Sequence, residues 1–144
     1  MFSKACEYGI RATIFIAQRS MKGRRSNLKE ISEAITSPLA FTAKILQLLV
    51  KHNIIFSTKG ATGGFEMAYH SFNTLNLKQL VHAIDGDGST TSCIVGLNTC
   101  SRENPCPIHH KYVTIRTNLA IMLEEMTIAQ LIEMEHFTLS NNPI

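Results

Sequence analysis

The sequence predicts a mainly α fold with a small β-hairpin: a winged helix-turn-helix domain followed by a long C-terminal helix. Three observations carry this. A helix that opens at Asn27 is followed, after a short turn, by one that opens at Ser37-Pro38, as in a helix-turn-helix. Two short β-prone runs flank the glycine-rich KGATGG directly afterwards, the pattern of a hairpin. A long stretch, HKYVTIRTNLAIMLEEM, then runs without a helix breaker near the end of the chain.

Each element has its own warrant. SKACEYGIRATIFIAQ reads as a mostly buried first helix capped by Ser3, and SMKGRRSN after it as a polar, basic loop. Asn27 and Glu30 form a capping box for the second helix, which lines up Leu28, Ile31 and Ile35 on one face. Ser37 is the expected cap of the third helix, with Pro38 in its first turn, where a missing N–H costs nothing. In that helix Phe41, Ile45, Leu48 and Leu49 form the buried stripe, and Ala40, Lys44, Gln47 and Lys51 the opposite one. In the hairpin Phe65, Met67 and Tyr69 alternate to one side. A winged fold sets its second motif helix in the DNA major groove. Lys59, at the wing tip, then reaches phosphate or the minor groove. The candidate DNA contacts are Ser37, Ala40, Lys44, Gln47, Thr58, Lys59 and Gly60. NLKQLVHAID is another amphipathic helix, with Leu77, Leu80, Val81 and Ile84 on one face. The long helix carries an apolar seam of Ile115, Leu119, Met122 and Met126, suited to a second copy of the chain or to its own domain. A capping box from Thr127 to Gln130 starts a short last helix. The expected division is a winged domain over 1–86, a cysteine-rich loop over 87–109, and the long helix with its short successor over 110–136.

Charge supports the same reading. The 144 residues carry a net charge of only +3. Residues 1–69 hold ten Lys/Arg against four Asp/Glu, and residues 70–144 hold four against seven. A basic half joined to an acidic one suits a polyanionic partner for the first. No apolar run is long enough to span a bilayer, so no membrane partner is expected. The first residues lack the apolar core of a signal peptide, which implies a reducing cytoplasm. No C-x-x-C, no phosphate-binding glycine loop ahead of a helix and no nucleophile–base pair is present, so an enzyme is not expected.

The segment CIVGLNTCSRENPCPIHH concentrates three of the four cysteines. Its spacing, Cys93-x6-Cys100-x5-Cys106-x2-His109, is neither that of zinc ribbons and fingers nor a common ferredoxin pattern. Loosely spaced thiols on a polar loop can wrap a multi-metal cluster, and three soft thiolates suit iron–sulfur, copper(I) or zinc. A four-ligand site needs one further donor, and His109 is close enough in sequence to join. A thiol redox switch without metal and a structural zinc site are the alternatives.

EYGIRATIFIA, SPLAFTAKILQLLVKHNIIFSTKGATGGFEMA, LKQLVHAIDG and the cysteine loop together resemble the IscR/NsrR family of bacterial winged-helix transcription regulators. The glycines before an aromatic (Gly63, Gly64, Phe65) and the cysteine triad are the most specific marks. The resemblance implies a homodimer joined through the long helix. It also implies an iron–sulfur cluster (2Fe–2S or 4Fe–4S) on Cys93, Cys100 and Cys106, and cluster-dependent binding to double-stranded promoter DNA. Some members complete the site with a histidine at the spacing of His109. Others use a partner-subunit carboxylate at the position of Glu7, and His110 is a fallback. Members without the triad regulate without a cluster. The chain departs from the family pattern at Lys59, where the family carries Arg, at Phe41-Thr42 in place of Tyr-Leu, and at Ala40 and Ala43 on the recognition face.

Overall fold

Ser3 starts the first helix, its side chain accepting from the Cys6 N–H. The computed structural model describes residues 2–99 and 101–133. In chain order these form α1 (Lys4–Met21), α2 (Leu28–Ile35), α3 (Leu39–Lys51), β1 (Phe56–Thr58), β2 (Gly64–Glu66), α4 (Ser71–Thr74), α5 (Leu77–Asp85), α6 (Gly88–Thr91), α7 (His109–Glu125) and α8 (Ile128–Ile132). The fold is the expected one, mainly helical with one two-stranded antiparallel sheet.

The apolar run of α1 predicts burial on more than one side, and Cys6, Gly9, Ala12, Thr13, Ile14, Ile16 and Ala17 are all buried. Around it the core closes through Ile31 and Ile35 of α2, Ile45, Leu46 and Leu49 of α3, Ile54 and Ile55, and Leu80 of α5. The Asn27–Glu30 capping box forms as expected. Beyond α2 the chain bends by 108° into α3.

Ser37 does not cap α3. Thr36 closes α2 in the left-handed conformation, φ 53°, and this turns Ser37 inward. Its N–H bonds the Ser32 carbonyl and its own carbonyl accepts from Ser32 Oγ at 2.6 Å. The helix then starts after Pro38 with no side-chain cap. The buried stripe of α3 is also rotated from the expected one. Thr42, Ile45, Leu46 and Leu49 are innermost, while Phe41 stands edge-on to Tyr8 at 5.8 Å between ring centres and is half-buried. Thr42 is tolerated there because its hydroxyl donates to the Pro38 carbonyl.

β1 and β2 pair with Ser57 opposite Phe65. Ser26 adds a one-residue third arm, exchanging two backbone hydrogen bonds with Phe65 at 2.8 and 3.0 Å. Gly64, φ 140°, lets this arm close, since a Cβ there would lie 2.8 Å from the Ser26 carbonyl oxygen. The expected alternation stops after Met67. The chain leaves the strand at Glu66 and turns into α4, which leaves Tyr69 79 % exposed.

The C-terminal third folds back on this domain. α7 lays Leu123 on Cys6 and Val81. The Leu77 N–H bonds the Met126 carbonyl and the Ile128 N–H the Leu75 carbonyl, so α8 docks against α1 and α4 and buries Ile128 in the main core. The Thr127–Gln130 capping box forms as expected. The end of segment 110–136 lies outside the described residues.

Leu123 is 1 % exposed where α7 meets α1 and α5. Leu123→Ala should cost about 2–5 kcal/mol. Ile115→Ala, on the exposed side of the same helix, should stay within about 0.5 kcal/mol in the monomeric unfolding step. Urea unfolding of the two variants compares them directly.

Candidate functional site

Two surfaces carry the candidate residues. On the first, the helix period places Ala40, Lys44, Gln47 and Lys51 together, and all four are exposed on the outer side of α3. Thr58, Lys59 and Gly60 are exposed at the wing tip, where the Gly63 N–H closes the turn onto the Gly60 carbonyl. A Cβ at Gly63 would fall 2.1 Å from the Thr58 carbonyl oxygen, so only glycine makes this tip. Ser37 is 8 % exposed and its Oγ is turned away from solvent. Arg11 of α1 holds the motif from behind: its guanidinium donates to the Ile35 carbonyl at 2.6 Å and lies over the Tyr8 ring.

The second surface is the cysteine loop. Asp87 opens α6 by accepting from the N–H groups of Thr90 and Thr91, whose hydroxyls also turn back onto it. This helical turn lies in a segment read from sequence as loop. Cys93 follows at once, half-buried. The backbone N–H of Leu97 points at its sulfur, joined by those of Val95 and Gly96 and by the Cys106 S–H, and together they hold the Cys93 thiol below the ordinary cysteine range. The loop thus returns Cys106 to Cys93. Cys100 lies outside the described residues. His109 heads α7 rather than ending the loop. Its N–H bonds the Cys106 carbonyl at 3.0 Å, and its ring is 4 % exposed and edge-on to His110. Glu7 sits on α1, half-exposed and ion-paired to Lys4 at 2.7 Å. Among the described residues no three Cys, His, Asp or Glu side chains converge. The donors that do meet, two thiols of which Cys93 has its pKa lowered by the surrounding N–H groups, are of the soft type that suits a soft metal centre.

Two residues that sequence reasoning did not single out hold this loop in place. Arg116 of α7 donates to the Thr91 carbonyl at 3.0 Å and lies over the Tyr112 ring. Asp85, at the end of α5, accepts from the Ser3 N–H at 2.9 Å and from Ser3 Oγ. An open cleft of about 490 Å³ between these anchors is lined by Cys93, Ser3, Asp85, Ser92, Ile94 and Tyr112. Nothing in the spacing of Asp85 or Arg116 marks them, because their partners are backbone groups or lie far away in sequence.

The apolar seam of α7 is split. Ile115 and Met122 are 57 % and 46 % exposed, with Ile121 beside them, whereas Leu119 packs partly on the Cys6–Val81–Leu123 cluster and Met126 is half-buried.

The family model described as Rrf2, iron-dependent transcriptional regulator, matches residues 2–134. The chain belongs to the Rrf2 family. It is therefore a DNA-binding transcriptional regulator and not an enzyme. It is 26 % identical over 133 residues to the transcriptional regulator NsrR of Oceanobacillus iheyensis, covering 92 % of this chain and 89 % of that protein. It is also 26 % identical over 128 residues to IscR of Sodalis glossinidius, covering 89 % and 76 %. Its fold matches that of CymR, the global cysteine regulator of Bacillus subtilis, with a TM-score of 0.75 at 16 % identity over 92 % of this chain and 95 % of that one. For the IscR of T. potens the TM-score is 0.70 at 15 % identity, over 92 % and 86 %. The resemblance read from the sequence thus holds for family and fold.

Cys6 differs from the loop thiols. Burial, reinforced by Asp85, pushes its thiol up to about 12. Iodoacetamide at neutral pH should therefore label metal-free, reduced protein at Cys93 and Cys106 and leave Cys6 unmodified until denaturant is added. Peptide mass spectrometry reads this, and early labelling of Cys6 would contradict the packing of α1 on α5 and α7.

Proposed function

We propose that the protein is a homodimeric, cytoplasmic regulator whose binding to promoter DNA is set by an iron–sulfur cluster held by Cys93, Cys100 and Cys106, with His109 as fourth ligand. One observation supports this above the others: the loop brings Cys106 back to Cys93 and surrounds the Cys93 sulfur with backbone N–H groups. Such a setting favours a thiolate, the form a metal binds. When bound, the cluster supplies a redox-active, labile centre. The chain's own residues do the rest. Cys106 and His109 move as a unit, since the His109 N–H is bonded to the Cys106 carbonyl. Arg116 ties the residues just before Cys93 to α7. In this reading Ile115, Ile121 and Met122 meet a second copy, Lys44 and Lys59 meet DNA phosphate, and Ala40, Gln47, Thr58 and Gly60 line the same face.

The Cys106 S–H on Cys93 also supports a second reading, a thiol switch. A peroxide would oxidise the Cys93 thiolate to a sulfenic acid with loss of hydroxide. The Cys106 thiol would then displace a second hydroxide (as water once protonated) to form the disulfide.

Anaerobic purification separates the readings. A cluster gives brown protein with visible absorbance that Cys93→Ser and Cys106→Ser each remove, and colourless protein without iron favours the switch. With a cluster in hand, His109→Ala should bleach it while Glu7→Ala retains it, and the reverse outcome would transfer the fourth position to Glu7.

Assembly and docking are tested separately. Ile115→Glu should give monomers by light scattering without unfolding the protomer, whereas Leu119→Glu strikes the protomer's own core as well. The double variant Lys44→Ala, Lys59→Ala should lower the slope of log K against log salt by about 0.9 for each phosphate that is no longer neutralised. An unchanged slope would remove this docking face.

A further inference from the structure

We propose that Arg24, on the loop between α1 and α2, is a second phosphate-binding group beside the wing, so that the DNA backbone is held by this loop as well as by Lys59. The inference rests on the docking of α3 and the wing proposed above and extends it to a part of the chain outside the helix-turn-helix. Its basis is a loop that is rigid, basic and attached to the wing. At its start, Gly23 takes φ +68°, and the N–H groups of Gly23 and Arg24 turn back onto the carbonyls of Ser20 and Arg19 at 3.0 Å. At its end, Ser26 exchanges two backbone hydrogen bonds with Phe65 of β2. Between them, Arg25 is committed to the wing: its guanidinium pairs with Glu66 at 3.1 Å and donates to the Thr62 carbonyl at 3.3 Å, both at the surface. Arg19 is likewise held by Glu30 at 3.4 Å.

Arg24 is the guanidinium left over. It is exposed, and among the described residues it has no carboxylate partner. It lines an open cleft of about 520 Å³ with Arg19, Arg25, Thr62, Gly63 and Glu66, whose carboxylate is paired to Arg25, and Lys59 lies on the same wing tip. A fixed backbone carrying one uncommitted guanidinium beside a wing suits a phosphate group, two of whose oxygens accept parallel N–H bonds from such a fork. The interaction positions the duplex and carries no sequence information. A flexible basic loop would lose more order on binding, but here the backbone is already pinned at both ends.

The test uses the intact chain, kept in one cluster and thiol state throughout, and a duplex selected by it from random-sequence DNA. Binding is measured across a salt series. Arg24→Ala should lower the slope of log K against log salt by about 0.9 for each protomer on the DNA, with the selected sequence unchanged. Arg24→Lys should restore most of the slope, and Arg24→Gln should not. If Lys59→Ala lowers the slope and Arg24→Ala leaves it unchanged, the docking face stands and this inference falls. If neither Arg24→Ala nor the double variant Lys44→Ala, Lys59→Ala changes it, both fall. A changed sequence preference with an unchanged slope would make Arg24 a base reader and overturn the proposal.

Discussion

Helix α1 has to fit against α5 and α3 at the same place, and position 9 is where they meet. A Cβ at Gly9 would lie 2.1 Å from Ile84 Cδ1 and 3.4 Å from Ile45 Cγ2, so any larger residue there would displace the end of the Ile84 side chain where the three helices meet. Thr13, one turn on, is fully buried and satisfies its hydroxyl on the Gly9 carbonyl. The rest of the fold hangs on this helix. Arg11 reaches from it to the last carbonyl of α2, and Tyr8 braces Phe41 at the start of α3. At its other end Ser3 is fastened to Asp85, from which the chain enters α6 and the cysteine loop. One rigid element therefore touches both the DNA-facing motif and the base of the loop. A displacement of Ser3 relative to Asp85 would reach α3 through α1, a packed helix, rather than through flexible chain.

Signals made within a single turn of chain were legible in the sequence. The Asn27–Glu30 and Thr127–Gln130 boxes and the Ser3 cap formed where their spacing placed them, because each needs only its own helix end. The same rule would have marked Asn76 and Gln79, which form a third box. The errors came where distant groups decide. Ser37 reads as a cap until Ser32 claims its backbone. The alternation of β2 reads on to Tyr69 until α4, anchored by Phe72, ends it. The bridge from Ser26 to Phe65 joins residues far apart in sequence, and so does the return of Ile128 to the core. Neither leaves a local pattern. The cysteines were legible as a cluster by composition, but their spacing could not say that Cys106 comes back to Cys93.

The charge of the first half is also more divided than its count suggests. Arg19 and Arg25 commit their guanidiniums to Glu30 and Glu66, and Arg11 commits its own to a carbonyl. These hold the loop, the wing and the motif in register. What remains for a polyanion is the exposed set on α3, the wing tip, Lys22 and Arg24 of the loop, and Lys29 of α2, a smaller set than the count of basic residues implies.

The meeting of Cys93 and Cys106 has a physical cause in how the loop is anchored. Its near end is tied to α7 by Arg116, which holds the carbonyls of Thr91 and Ser92. Its far end is α7 itself, beginning at His109. Positions 109 and 116 are about 10 Å apart along a helix. The loop therefore leaves and rejoins the same rod over a short span, and most of the entropy of closing it is already lost before any bond forms between its thiols. Both anchors belong to the helix that also carries exposed Ile115 and Met122 on one side and buried Leu123 on the other. The segment that carries the two thiols is thus attached to α7 at both ends. Leu123 fixes the C-terminal half of α7 to α1 and α5, so the loop's anchors and exposed Ile115 share the half of the helix that lies ahead of that fixed point.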